Sequence, residues 1–264
     1  MPTATDQTSI HPTAVVHAQA ELGLGAVVGA FAVIGPGVVV GAGTEIGPHA
    51  VLEGTTVLGR QNRIGPFVCL GGPPQHTAYQ GEPTRLTIGD RNVIREYVTV
   101  HRGTAQGRGE TVIGHDNFLM VGAHVAHDCV VGSHVIMSNQ AQLAGHVLLE
   151  DHAVIGGLSG LHQHTRMGRG AMLAALSGAP MDVPPWSLVG GERAHFIGLN
   201  RVAIKRVGLS EQTANALRRA YRTIFKSGLP LEEALVEAAE EFGGDPEVAH
   251  LIEFVRTSKR GVIR

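Results

Sequence analysis

Ile10, Val16, Leu22, Val28, Ile34, Val40, Ile46, Leu52, Leu58, Ile64 and Leu70 fall in one six-residue register without a gap. After a proline-rich interruption the register resumes at Ile88, Ile94 and Val100. A second interruption displaces it, and it then runs from Ile113 through Leu119, Val125, Val131, Met137, Leu143, Leu149, Ile155, Leu161 and Met167 to Leu173. A helix repeats every 3.6 residues and a simple strand every 2, so neither produces this period. Hexads are the pattern of a parallel β-helix, whose successive coils bury one continuous core. Four residues after each aliphatic comes a small side chain, as at Ala14, Ala20, Ala26, Ala32, Val38, Thr44, Ala50 and Thr56. Strand alternation turns both sets inward. If each coil has three sides, residues eighteen apart stack about 4.8 Å above one another. Gly29, Gly35, Gly41, Gly47, Gly59 and Gly65 follow the aliphatics, where a residue without Cβ is expected to help a tight corner.

The pattern therefore predicts a β fold: a parallel β-helix over residues 1–190, with loops at 71–87 and 102–111, then a C-terminal α-helical domain over 191–264. In that domain Ser210 is a suitable N-cap for a helix running to about Lys226 and stopped by Gly228. Pro230 opens a second helix that ends at Gly243-Gly244, and Asp245 caps a third with Pro246 at its first position.

The 36 glycines and an aromatic content of 4% fit a core of Val, Ile, Leu and Ala. A formal charge of −2 supplies no bulk reason to bind nucleic acid. Cys69 and Cys129 lie at or near inward positions far apart in sequence, which favours buried free thiols over a disulfide. Neither a signal peptide nor an apolar stretch long enough to span a membrane is legible, so the cytoplasm is the expected compartment. Outward positions Val15, Val33, Val51 and Cys69, eighteen apart, form an apolar stripe suited to self-association.

The candidate chemistry is histidine. His124, His127, His146, His162 and His164 fall within about forty residues, flanked by the two loops. Eighteen-residue stacking sets Gly145 over His127 and Gln163 over Gly145, and aligns Asp128, His146 and His164 in the neighbouring column. His115, His134 and His152 are read as ordinary surface side chains. One reading of the cluster is metal binding, with His124, His127 and His146 as a zinc set like that of the hexapeptide-repeat carbonic anhydrases, whose ligand spacing is not matched. A second is general-base catalysis of acyl transfer, with one imidazole oriented by Asp128. No Ser or Cys stands in a nucleophile motif, so direct transfer is simpler than an acyl-enzyme. A third, a non-enzymatic scaffold, leaves the imidazoles and loops unexplained.

Gly81-Glu82-Pro83-Thr84-Arg85, Ile88-Gly89-Asp90-Arg91-Asn92, Val100-His101-Arg102-Gly103-Thr104, Ala123 to Cys129 and Leu143-Ala144-Gly145-His146 closely resemble the UDP-N-acetylglucosamine acyltransferase family. The resemblance covers the whole chain, including Asp182-Val183-Pro184-Pro185 and Arg260 to Arg264. It implies a left-handed parallel β-helix, a homotrimer with sites between subunits, and no cofactor or metal. It also implies transfer of an (R)-3-hydroxyacyl group from acyl carrier protein to UDP-N-acetylglucosamine, the first step of lipid A biosynthesis.

Carried over by position, His127 resembles the general base, Asp128 its orienting partner and Gly145 the backbone donor to the oxyanion. His124, His146, His162 and Gln163 match substrate-binding positions, and Asn200 and Arg206 nucleotide-side contacts. Ala175 stands where long-chain members have the glycine that gauges acyl length, and Arg193 replaces a commoner His near the end of the acyl slot. An acidic carrier would give Arg218, Arg219 and Arg222 a docking role. The family's Asp and Lys in the first loop are His76 and Ala78 here, and a Glu near the uridine is Val202. These departures bear on sugar recognition, including N-acetylglucosamine against its 3-amino analogue.

Overall fold

The computed structural model describes residues 7–264, so residues 1–6, on which the signal-peptide expectation partly falls, lie outside it. The hexads fold into a triangular prism of three parallel sheets. The first sheet holds strands such as Val27–Val28, Glu45–Ile46 and Phe118–Leu119. The second holds Val33–Ile34, Cys69–Gly72, Thr99–His101, His124–Val125 and Gln142–Leu143. The third holds Val38–Val40, Glu110–Ile113, Val130–Val131 and Leu148–Leu149. Pairs such as Val33↔Val51 and Val130↔Leu148 confirm the eighteen-residue coil. Val28, Ile34, Val40, Ile46 and Leu52 are buried together with Ala26, Ala32, Thr44, Ala50 and Thr56, as the two-position inward pattern requires.

Several local readings change. The glycines after the aliphatics do not make the corners. A Cβ on Gly47 would lie 2.8 Å from the Ile64 carbonyl oxygen, so these glycines permit coils to approach one another. The left-handed turn comes two residues later, and side-chain-bearing residues adopt it: Phe31, His49, Asp116, Asp128, His134, His146, His152 and His164 have φ between 56° and 63°. That conformation favours Asp and His among ordinary residues, so corner geometry accounts for part of the histidine pattern. Cys129 is buried but Cys69 is exposed, because it belongs to the outward set of its strand. The loops are shorter than expected, since strands Arg85–Ile88 and Glu110–Ile113 begin inside the predicted ranges.

The first sheet continues past residue 190. Strand Ser187–Gly190 pairs antiparallel with His195–Leu199, and the helical domain follows. Its helices are α1 (Arg201–Val207), α2 (Glu211–Lys226), α3 (Leu231–Phe242) and α4 (Pro246–Arg256). Ser210 and Asp245 accept hydrogen bonds from the first-turn N–H groups of α2 and α4, as expected. The short α1 was not anticipated as a separate element. Leu217, Tyr221, Leu235, Leu251 and Phe254 form the domain's core with Trp186 of the prism. Arg166, held by Asp182 at 2.9 Å, donates to the Phe254 carbonyl at 2.8 Å, and Arg169 pairs with Glu247 at 3.1 Å across the join. Among the described residues no helix is long and apolar enough to cross a membrane.

Candidate active site

The register Thr99↔His124 sets these two side chains side by side on the outer face of the second sheet. His124 Nδ1 lies 2.7 Å from Thr99 Oγ1. Burial, then the nearby His101 and His127, depress the His124 pKa to about 4, which keeps this ring neutral at physiological pH. His101 packs edge-on against it at 5.0 Å between ring centroids. Sequence reasoning did not single out His101, whose hexad position is unremarkable.

At the corner between the second and third sheets, His127 Nδ1 meets Asp128 Oδ2 at 2.8 Å. The loop after His101 closes over the carboxylate. Thr104 donates its N–H at 3.1 Å to Oδ1 and its hydroxyl at 2.7 Å to Oδ2, and the Arg108 N–H donates at 2.8 Å. Burial alone would raise the Asp128 pKa, but these hydrogen bonds outweigh it and hold the group below the usual carboxylate range. An ionised carboxylate only accepts, so His127 Nδ1 carries the proton and Nε2 presents a lone pair. Thr104 and Arg108 act mainly through backbone N–H groups, which left no signal in residue type.

Gly145 lies one coil on, and a Cβ there would come within 2.7 Å of the His127 ring. Its N–H has no acceptor among the described hydrogen bonds. His146 crosses His127 at right angles, 5.1 Å between centroids, and stacks on His164 at 4.3 Å. His76 reaches back from the first loop to meet the edge of His127 at 5.4 Å. A base with a fixed tautomer beside a free backbone donor can remove a proton and stabilise an oxyanion. Cys129 is no nucleophile, since burial pushes its thiol up to about 12. The group that could hold a metal is His127, Asp128 and His146, with ligand atoms within 4.8 Å of one another. His124 is not part of it.

His162 and Gln163 are exposed on the next coil. His162, Gly160, Gly178, Glu192 and Arg193 line a groove of about 360 Å³ along the second sheet. Ala175 is exposed but does not line that groove; it sits beside Leu176, on the corner between the first and second sheets. Asn200 is buried, accepting from the Ala203 N–H at 3.1 Å and donating to the Gly170 carbonyl at 2.9 Å. Those bonds make it the N-cap of α1. Arg206 lines a cavity with His134 and His152 at the corner between the third and first sheets, away from the His127 corner.

Arg218 and Arg222 line a hollow of about 270 Å³ with Arg201, Lys226, Phe196 and Tyr221. Arg219 faces elsewhere: it pairs with Glu241 and lies over the Phe242 ring. Of the three arginines expected to dock a carrier, Arg218 and Arg222 thus share one hollow with Arg201 and Lys226, and Arg219 stands outside it.

A hexapeptide prism carrying a carboxylate-held imidazole on one corner places the protein among the hexapeptide-repeat proteins. The bacterial transferase hexapeptide model matches residues 25–54, and the model described as Udp N-acetylglucosamine O-acyltransferase; Domain 2 matches residues 182–263. The chain is 51% identical over 257 residues to the acyl-[acyl-carrier-protein]--UDP-N-acetylglucosamine O-acyltransferase of Halorhodospira halophila, covering 97% of this chain and all of that one. The protein of the same name from Burkholderia lata is 48% identical, again over 97% and 100%. The structure superposes on the UDP-N-acetylglucosamine acyltransferase of Bacteroides fragilis with a TM-score of 0.94 at 35% identity, covering 97% of this chain and 100% of that one. The chain belongs to the UDP-N-acetylglucosamine O-acyltransferase family, and its fold is the left-handed parallel β-helix with a helical C-terminal domain.

Proposed function

We propose that this protein transfers an (R)-3-hydroxyacyl group from acyl carrier protein to the 3-hydroxyl of UDP-N-acetylglucosamine, the first step of lipid A biosynthesis, in the cytoplasm where acyl carriers are loaded. His127 Nε2 takes the hydroxyl proton as the oxygen attacks the thioester carbonyl. Asp128 stabilises the imidazolium, and the Gly145 N–H receives the developing oxyanion. Collapse expels the carrier thiolate, which takes the proton back from His127. No acyl-enzyme forms. The observation that carries this reading is the His127–Asp128 hydrogen bond, which fixes the tautomer a base requires.

The test is to incubate the purified protein with 3-hydroxyacyl carrier and either UDP-N-acetylglucosamine or its 3-amino analogue. An acylated sugar nucleotide of the expected mass supports the reading, and the preferred acceptor settles O- against N-acylation. The convergence of His127, Asp128 and His146 favours one second reading, a zinc-dependent hydrase-like enzyme. Stoichiometric zinc with carbon dioxide hydration abolished by a chelator would replace the first reading by that one.

A homotrimer completes the proposal. On the corner between the first and second sheets, Phe31, His49, Phe67 and Tyr97 stack in a ladder with centroids 4.8–5.3 Å apart. Phe31, Phe67 and Tyr97 are 54%, 44% and 58% exposed, and Leu158 and Leu176 continue the column at 60% and 71%. Beside it runs the stripe of Val15, Val33, Val51 and Cys69. A long exposed and mostly apolar edge, broken at Gly122 and Gln140, fits a threefold axis, with the first sheet of each copy against the second sheet of the next. Phe67→Arg should lower the sedimenting mass from three chains to one; an unchanged mass would remove the ladder from the interface.

A further inference from the structure

Arg102 stands where the strand Thr99–His101 gives way to the second loop, and its guanidinium turns back to the first. Nη1 donates to the Gly71 carbonyl at 2.6 Å, and Nη2 and Nε donate to the Tyr79 hydroxyl at 2.8 and 3.2 Å. The cation also lies over the Tyr79 ring, 5.5 Å from its centroid. Tyr79 in turn donates its hydroxyl to the Glu82 carbonyl at 2.9 Å. One half-buried side chain therefore ties the start of the first loop to its middle and, through Tyr79, to its end. The neighbouring coil leaves room for it: a Cβ on Gly54 would stand 2.8 Å from Nη1. A planar fork with fixed N–H directions suits oxygens so divided better than a point charge does.

The tie matters because of what the loop carries. Of residues 75–79, only Tyr79 reaches a residue beyond the loop through a described hydrogen bond. The others bond only within their own turn, as where the Tyr79 N–H meets the His76 carbonyl at 3.0 Å and the Ala78 N–H meets His76 Nδ1 at 3.3 Å. His76 is exposed, yet its ring stands against the edge of His127 at 5.4 Å. Its place there is inherited from Tyr79. Two residues after Arg102, the Thr104 N–H and hydroxyl hold Asp128. The loop that orients His127 through Asp128 and the loop that covers His127 thus meet at one side chain.

We propose that Arg102 is a positioning residue of the reaction: through Tyr79 it sets His76 as the wall that holds the acceptor sugar beside His127. The assignment rests on the acyltransferase reading above for the identity of the acceptor. A pin serving loop stability alone would explain the Gly71 and Tyr79 bonds, but it would have no bearing on which substrate is held.

The test removes one oxygen. Tyr79→Phe keeps the ring against the cation and deletes the hydroxyl, and Arg102→Lys keeps the charge and deletes the fork. Each should raise KM for the sugar nucleotide by about tenfold, the scale of one hydrogen bond to a charged group. Unchanged kcat and an unchanged KM for the acyl carrier should accompany it, the pattern of lost binding common to ground and transition states. Calorimetric binding of UDP-N-acetylglucosamine should weaken by the same factor. His76→Ala should do likewise, and in its background Tyr79→Phe should cost nothing more, since both act through one wall. Additive losses from Tyr79→Phe and His76→Ala overturn the proposal. So does a fall in kcat and in the thermal midpoint with no preference between substrates, the mark of a loop pin alone. If no acyl group is transferred yet both variants weaken UDP-N-acetylglucosamine binding without adding, the acyltransferase reading fails and the Arg102 assignment stands. Acyl transfer with an unaltered KM in Tyr79→Phe is the converse.

Discussion

Gly145 lies against the face of His127 so closely that a single added carbon at position 145 would stand 2.7 Å from Cε1 and 2.8 Å from Nε2. The two residues are eighteen apart and belong to consecutive coils, so coil stacking itself brings the proposed base and the proposed oxyanion donor together. The absence of a side chain at 145 lets the imidazole keep its bond to Asp128.

His127→Ala should lower kcat by about 10² to 10⁴. Retention of more than a tenth of the wild-type rate would remove His127 from the role of base. Its side chain is largely covered, with the residue 9% exposed, so the thermal midpoint should drop modestly, where an exposed residue would leave it unmoved. Gly145→Ala keeps the backbone N–H but should push the ring off Asp128 and cost about 10² in kcat, as displacement of a general base does, with KM for either substrate nearly constant.

The neutral His124 predicts an acid limb in the stability profile. Its folded pKa, about 4, lies below the ordinary histidine value of 6.5, so the unfolded chain binds the extra proton first. The contribution is fully present above pH about 6.5 and is lost as the pH falls toward about 4. His124→Asn should flatten the decline in that window, read by urea unfolding at a series of pH values. A decline of unchanged steepness would assign the proton to another group.

Docking of an acidic carrier should depend on Arg218 and Arg222 and much less on Arg219, whose charge is already met by Glu241. Arg218→Glu/Arg222→Glu should raise KM for the acyl carrier several-fold at low salt, with the difference shrinking at high salt. KM for the sugar nucleotide should stay constant. Equal effects from Arg219→Glu would show a general field in place of a defined hollow.

Acyl length is expected to be set where the groove along Gly160 and Gly178 meets Glu192 and Arg193. A preference for hydroxyacyl chains of about C10 to C14 is expected, each blocked methylene being worth about 1 to 3 kcal/mol of discrimination. Arg193→Gly should extend the profile toward longer chains in a ladder of 3-hydroxyacyl carriers. If Ala175→Gly does so instead, the stop lies at the Leu176 corner.

The prism was legible because inward packing acts on every sixth side chain without exception, and so were the Ser210 and Asp245 caps, which depend on a single oxygen. Stacking arithmetic also brought Gly145 to His127. What escaped was chemistry carried by the backbone. The donors that cage Asp128 are largely main-chain N–H groups of Thr104 and Arg108, and any residue could supply them. The Glu241 partner of Arg219 comes from another helix, beyond the reach of spacing within one helix. The aromatic ladder was readable in principle, since Phe31, His49 and Phe67 are eighteen apart.

The coils also set an order of melting. Each touches only its neighbours above and below, so loosening spreads from an end by successive detachment, as in any quasi-one-dimensional stack. Strands Ser9–Ile10, Val15–Val16 and Glu21–Leu22 stand at one end of their sheets, and Ile10 is 47% exposed. The opposite end is sealed by the helical domain through the fully buried Trp186. Amide hydrogens of the first coils should therefore exchange with solvent soonest, in a gradient running toward the seal. The His127 and His146 coils lie far along it, and heat should fray one tip of the spindle while its working middle is still wound.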